Sequence, residues 1–419
     1  MSKYYKRLAD NVLAEKLKMR GAVLIEGVKW CGKTTTAKQK ALSVIDLSVR
    51  KEIDRAELLV YEDPEKLFSS QKPTLIDEWQ KVPLIWDALR NHVDSSGIKG
   101  EFILTGSTSQ TKAVESLRMH SGTGRIGRMK MYTMSLWESG DSNGEVSLSS
   151  LFNNPSKIYS DSSHALEDIA YLCVRGGWPG VIGLSKETAE KQAKLYLDEL
   201  CDSDIQNVDG HRRSSTKMRT ILRSYARFSG SNATNTALEN DVSDISKNTL
   251  ADYLKVLDDL FVTDETEAWN PNFRSKTAVQ TANTRYMTDP SITAAALHMN
   301  SKDLMADFET FGLVFETMAI RDLKVYAQSL DSEILHYRDS AGLECDAVLH
   351  SDKGEYALIE IKLSQAKEDE AAQSLTKLYN KITKAGKPAP SFMMVLTGTG
   401  FAHKRDDGIF VVPIGCLKV

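Results

Sequence analysis

Gly27-Val28-Lys29-Trp30-Cys31-Gly32-Lys33-Thr34 reads G-x-x-x-x-G-K-T. The apolar run Ala22-Val23-Leu24-Ile25 before it predicts a buried strand, and Thr35 to Leu42 after it predicts a helix start. A glycine-rich loop between a strand and a helix is a phosphate cradle. Gly27 and Gly32 let the backbone turn tightly and aim its N–H groups at phosphate oxygens. The helix that begins near Thr35 adds a partial positive charge at its N-terminus. Lys33 can reach the β- and γ-phosphates, and the Thr34 hydroxyl can ligate Mg²⁺. Trp30 and Cys31 are bulkier than the loop requires, and Cys31 is a candidate for oxidation.

A second apolar run, Thr74-Leu75-Ile76, delivers Asp77 and Glu78 at its carboxyl end. In phosphoryl-transfer sites such a position supports the metal and orients the attacking water. Asp77 suits the first role and Glu78 the second. The third run, Phe102-Ile103-Leu104, ends in Thr105-Gly106-Ser107, so Thr105 and Ser107 are candidates for a polar contact near the γ-phosphate. A plain strand-end turn is the alternative. The basic, glycine-rich stretch Arg118 to Lys130 contains Arg125 and Arg128. It reads as a solvated loop or as the source of an arginine finger, acting in its own or a neighbouring subunit, with Arg125 favoured.

The second constellation lies near the other end of the chain. Phe308 to Leu330 predicts a long helix with Glu316 among apolar neighbours. Leu343 to Leu349 and Tyr356 to Lys362 predict paired strands. Alternation puts Glu360 and Lys362 on one face, with Asp346 opposite. Asp346, Glu360 and Lys362, with Glu316 upstream, form the pattern of PD-(D/E)XK nucleases, in which carboxylates gather Mg²⁺ and the lysine steadies charge on the phosphate. An inactive fold with a buried ion pair is the alternative.

Three buried strands with helical stretches between them imply an α/β domain with a parallel sheet, its site at the strands' carboxyl ends. Residues 4–19 read as an amphipathic helix leading into the first strand. The Ser-, Asn- and Gly-rich stretch 140–165 reads as a linker or surface excursion. Residues 211–227 hold Arg212, Arg213, Lys217, Arg219, Arg223 and Arg227 without an acid. Helices at Asn235–Val242 and after Ser246, then β-prone residues at 261–263 and 285–287, predict a winged helix-turn-helix. DNA binding or a protein–protein module are both open there, because Asp252, Asp258 and Asp259 would repel phosphate.

At 419 residues, two or three domains are expected. A net charge of −4 argues against a globally basic nucleic-acid binder. Five cysteines without C-x-x-C pairs fit a reducing cytoplasm and offer no zinc signature. No signal peptide or membrane span is expected.

The chain resembles the AAA-type ATPases of bacteria and archaea that carry a C-terminal domain of unknown function. Gly27–Thr34, Leu75-Ile76-Asp77-Glu78, Leu104-Thr105-Gly106-Ser107 and Gly124-Arg125-Ile126 carry the likeness, as does Met134-Ser135-Leu136-Trp137-Glu138-Ser139-Gly140. Further matches are Gly176-Gly177-Trp178-Pro179, the Leu250/Tyr253/Leu254/Leu257/Leu260 helix pattern, Thr288-Asp289-Pro290, and the Asp346/Glu360/Lys362 hairpin. The resemblance implies an AAA-like P-loop ATPase domain over 1–140, a winged-helix domain over 165–300 and a nuclease-like α/β domain over 305–419. It implies ATP and Mg²⁺ as ligands, with DNA, another protein or a homo-oligomer as open partners. The expected activity is ATP hydrolysis. An ATP-switched assembly module and an ATP-gated nuclease are the alternatives.

Overall fold

Residues 22–25 are apolar on both faces, and such a run is stable only between covered neighbours. The computed structural model describes residues 4–106, 121–153, 158–205, 213–242, 244–271 and 281–419. It divides into two units. The first comprises Met1–Thr133, Ser203–Arg212 and Lys255–Val262, and the second comprises the rest.

In the first unit, β1 (Ala22–Glu26), β2 (Ser43–Asp46), β3 (Thr74–Asp77), β4 (Phe102–Gly106) and β5 (Ile126–Lys130) form one parallel sheet ordered β2-β3-β4-β1-β5. β4 therefore lies between β1 and β3. The register aligns Ile25, Thr105, Asp77 and Asp46 in one row near the carboxyl ends. Ile76, Leu104, Trp79, Trp86, Leu89 and Val93 belong to the core that holds this row in place. α1 (Ala9–Met19) precedes β1, and α2 (Lys33–Lys38) starts directly at the loop lysine.

In the second unit, β6 (Val146–Ser147) and β7 (Ser160–Asp161) come from the stretch expected to be a linker. β8 (Thr263–Thr266) and β9 (Thr284–Met287) form an antiparallel pair. The larger sheet uses β10 (Ser332–Arg338), β11 (Glu344–Ser351), β12 (Tyr356–Lys362), β13 (Phe392–Thr397), β14 (Phe401–Lys404) and β15 (Phe410–Pro413). Its order is β10-β11-β12-β13-β15-β14-β7. β6 pairs with β16 (Leu417–Lys418). The linker expectation for 140–165 is thus corrected. Val146, Leu148 and Leu151 are buried, and two strands from the stretch pair with the chain's last elements.

Helices Ser215–Arg227, Asn235–Asp241 and Lys247–Asp259 precede β8 and β9 in the order expected of the middle region. Residues 165–300 and 305–419 fall mostly within this one unit. A buried charge network explains much of the motif pattern. Arg321 and Asp289 are 2% and 0% exposed and pair at 3.1 Å. Arg321 also pairs with Asp322 at 2.7 Å, and Asp322 accepts from the Leu136 amide. Asp289 accepts from the Gly177 amide, and a Cβ on Gly177 would lie 2.2 Å from the Met134 carbonyl. Met134–Gly140 is therefore a structural element of the second unit. Ser135 and Glu138 form a capping box, and Gly140 closes the turn at φ 84°.

Candidate functional site

The loop between β1 and α2 owes its shape to three backbone choices. Gly27 has φ 152°, and a Cβ there would lie 2.2 Å from the Met131 carbonyl oxygen. Trp30 adopts φ 69°, a sparsely populated region for a bulky residue. Gly32, at φ 104°, caps α2. Lys33 is buried, and its Nζ donates to the carbonyls of Gly27 at 2.7 Å and Val28 at 2.9 Å. Lys29 reaches outward instead and pairs with Asp204 at 2.9 Å. Thr35 is exposed on α2.

One oxygen gathers the rest. Asp77 Oδ1 accepts from Thr34 Oγ1 at 2.8 Å and also from Thr105 Oγ1. A loop residue, the β3 end and the β4 end thus meet beside Lys33. Glu78 follows at φ 56° and accepts a 2.5 Å bond from Gln80 Nε2. Burial raises its pKa, the Lys33 charge opposes that rise and Asp77 adds to it. Ser107 lies outside the described residues.

Arg125 is not brought to this group. Ile126, the next residue, aligns with Ala22, at the amino end of β1. The P-loop starts at the other end, roughly four residue rises or about 13 Å away. Arg125 instead pairs with Asp94 at 2.6 Å. Arg128 lies further along β5 and pairs with Glu26 at 3.2 Å. Within one chain Arg125 is therefore no finger. The physical reason is that the glycine-rich loop enters β5 at the sheet's amino edge.

The terminal constellation does converge. Lys362 Nζ lies 2.9 Å from Glu360 Oε2 and 3.4 Å from Asp346 Oδ2, and Asp346 also accepts from the Ile361 amide. Glu316 accepts from Tyr286 Oη of β9 at 2.7 Å. Its carboxylate is covered by Tyr286 and Gly230, although the residue keeps some exposed surface. Burial and the Asp346 charge push Glu316 up to about 8, and the same two causes push Glu360 up to about 8. Burial opposes the charge on Lys362, but Asp346 and Glu360 hold its pKa above the ordinary value. Among the described residues, no three His, Cys, Asp or Glu side chains are grouped so as to hold a metal ion.

Three arginines of the expected basic run are paired with acids, and Arg212 lies outside the described residues. Arg213 pairs with Asp252, Arg219 with Asp198 and Asp202, and Arg227 with Asp241. Lys217 and Arg223 remain exposed. Sequence reasoning missed Gln80 and also Arg7, whose buried guanidinium reaches the loop. In a helix expected over residues 4–19, the Lys6-Arg7 pair looks like part of the solvated face, whereas the helix starts at Ala9.

Residues 19–139 match the AAA domain family. Residues 166–303 and 311–417 match two domains of unknown function, DUF8612 and DUF4143. No curated protein matches. Among solved structures, the Walker-type ATPase of Pyrococcus abyssi aligns over 70% of this chain and 96% of its own, at 15% identity and a TM-score of 0.43. The replication initiator DnaA, bound to AMPPCP and single-stranded DNA, aligns over 61% of this chain and 89% of its own, at 15% identity and a TM-score of 0.28. Both scores are below 0.5, and neither likeness bears on activity. The first unit carries an AAA-type P-loop domain, and its loop and family match support nucleotide binding. Among the described residues no helix is long and apolar enough to cross a membrane.

Proposed function

We propose that the first unit binds ATP with Mg²⁺ at the Gly27–Thr34 loop and hydrolyses it. The observation that carries this reading is the meeting of Thr34, Asp77 and Thr105 beside Lys33. The Thr34 hydroxyl and Asp77 carboxylate are hard oxygen donors of the kind Mg²⁺ takes, so these two would hold the ion. When bound, Mg²⁺ would neutralise charge on the phosphates. Lys33 would leave its two carbonyls for phosphate oxygens. Thr105 orients the Asp77 carboxylate. Glu78 would orient the attacking water and accept its proton. Arg125 could serve only a neighbouring copy in a homo-oligomer. ATP hydrolysis measured with and without DNA, at several protein concentrations, tests the reading. No turnover under any of these conditions would remove it.

A second reading is an ATP-switched assembly module with little turnover, in which Glu78 stays bonded to Gln80 when nucleotide binds. A burst of phosphate followed by a flat phase would mark it. The order of helices Ser215–Arg227, Asn235–Asp241 and Lys247–Asp259 ahead of β8 and β9 supports a winged-helix reading, and the paired Arg219 and Arg227 favour a protein partner over DNA. The Asp346–Lys362–Glu360 contacts support a nuclease-like terminal domain. Comparing Lys362→Ala with wild type on linear, circular and single-stranded DNA tests cutting there.

A further inference from the structure

Arg7 lies just ahead of α1 and is 4% exposed. Its guanidinium ends on two main-chain carbonyls. Nη1 donates to Cys31 O at 2.8 Å, inside the phosphate loop, and Nη2 donates to Tyr132 O at 2.9 Å, just past β5. The second anchor is itself fixed to the sheet. The Met131 amide donates to Glu26 O at 2.7 Å, which continues the β1–β5 ladder by one residue. Arg7 is held from behind as well. Its own amide donates to Asp10 Oδ2 at 2.9 Å, and Asp10 Oδ1 accepts from Tyr4 Oη at 2.6 Å. Asp10 is 7% exposed.

The consequence for the loop follows from peptide geometry. In a planar trans peptide the C=O and the following N–H point in opposite directions. Cys31 O is turned inward, onto Arg7. The Gly32 N–H on the same peptide plane must therefore face the other way, and no backbone carbonyl among the described residues accepts it. Trp30, at φ 69°, makes the reversal that brings Cys31 O inward. Cys31 itself is fully buried. The guanidinium fork is rigid, and its two arms fix one angle between loop and sheet.

We propose that Arg7 is a positioning residue for the nucleotide's phosphates: it pins the Cys31–Gly32 peptide so that the Gly32 N–H stays in the phosphate cradle. The proposal rests on the nucleotide-binding reading given above. Arg7 touches no substrate and acts through the peptide. A lysine here can satisfy one carbonyl at a time, so the peptide is free to rotate. A loop of this kind encircles the α- and β-phosphates, so ATP and ADP should weaken together.

The test compares Arg7→Lys, Arg7→Gln, Leu13→Ala and Lys33→Ala in the full chain, by equilibrium titration with ATP and ADP alongside thermal unfolding. Leu13 is a fully buried residue of α1 that reaches no loop atom in the contacts above, so its truncation matches a loss of stability without freeing the peptide. Arg7→Lys should lose about tenfold in affinity for both nucleotides, and Arg7→Gln more. Leu13→Ala should stay within about twofold of wild type despite its lower unfolding midpoint. If Lys33→Ala loses binding while Arg7→Lys stays within about twofold of wild type, the positioning role is overturned and the loop reading stands. If Lys33→Ala also binds normally, the loop reading itself fails. Failure of both Arg7 variants to fold would make Arg7 a structural group and overturn the proposal.

Discussion

Gln80 Nε2 donates to Glu78 Oε2 at 2.5 Å. The carboxylate expected to face water is thus held by an amide two residues further along, while its backbone sits at φ 56°. A strained backbone and an engaged side chain together describe a group kept in one orientation.

The first prediction follows from that contact. Glu78→Gln should bind ATP normally and hydrolyse it at least about a hundredfold more slowly, because a positioned base contributes on that scale. Burial raises the Glu78 pKa above 4.5. The base form is therefore lost, as pH falls, earlier than for an ordinary glutamate. The acid limb of kcat should have its midpoint above that value. Unchanged turnover in Glu78→Gln would take the residue out of this role.

Thr105 offers a cleaner separation of binding from turnover. Its hydroxyl shares Asp77 Oδ1 with Thr34, and valine preserves its shape. Thr105→Val should leave ATP affinity within about threefold and lower kcat by about tenfold, the scale of one hydrogen bond. Equal losses in affinity and kcat would instead make Thr105 part of the binding surface.

The terminal cluster predicts a pH dependence of stability. Glu316 and Glu360 are both raised to about 8 from 4.5, so the folded chain holds protons that the unfolded chain would release. Their contribution is complete below pH 4.5 and is lost as pH rises through 8. Denaturant midpoints should therefore fall across that window. Glu316→Gln keeps an oxygen for Tyr286 and removes the titration, so it should flatten the fall. A slope equal to that of wild type would assign the dependence elsewhere.

Asp289 and Arg321 test the buried network. Asp289→Ala leaves a 2%-exposed guanidinium short of one carboxylate. It also strips the acceptor from the Gly177 amide. Loss of one partner from a buried pair costs about 3–5 kcal/mol. Urea unfolding should report a loss of that size. A loss below about 1 kcal/mol would mean that Asp322 alone compensates Arg321.

Local patterns were the legible part. The loop, the Asp77-Glu78 end of β3 and the bounds of β12 follow from short-range periodicity and residue type. The order of the sheet does not, and only that order puts Thr105 beside Asp77. Arg125 misled because a glycine-rich basic loop looks the same at either end of a sheet. The stretch 140–165 misled for a similar reason. Its polar composition hides Val146, whose partner Leu417 lies near the other end of the sequence. Arg321 and Asp322 did carry a signal: two adjacent charges inside the apolar helix Phe308–Ser329 need buried partners.

Lys33 gives the most direct test of the loop. The residue is 7% exposed, and its ammonium donates to Gly27 O and Val28 O. Those acceptors are neutral. Phosphate oxygens are anionic, and charge-assisted bonds to them are about twice as strong. Nucleotide binding should therefore draw Lys33 off the two carbonyls, and the exchange itself favours the bound state. Lys33→Ala removes the exchange and leaves two carbonyls that loop motion can expose to water. It should cost at least about a hundredfold in ATP affinity, or roughly 3 kcal/mol. Lys33→Arg should not rescue it, because the larger guanidinium must enter a buried site shaped for a single ammonium. The unfolding midpoint of Lys33→Ala should stay near wild type, since the lysine's own bonds hold only the loop. Calorimetric titration with ATP at fixed salt measures the first quantity and thermal unfolding the second. Hydrolysis retained by Lys33→Ala would show that the phosphates are held by something other than this ammonium.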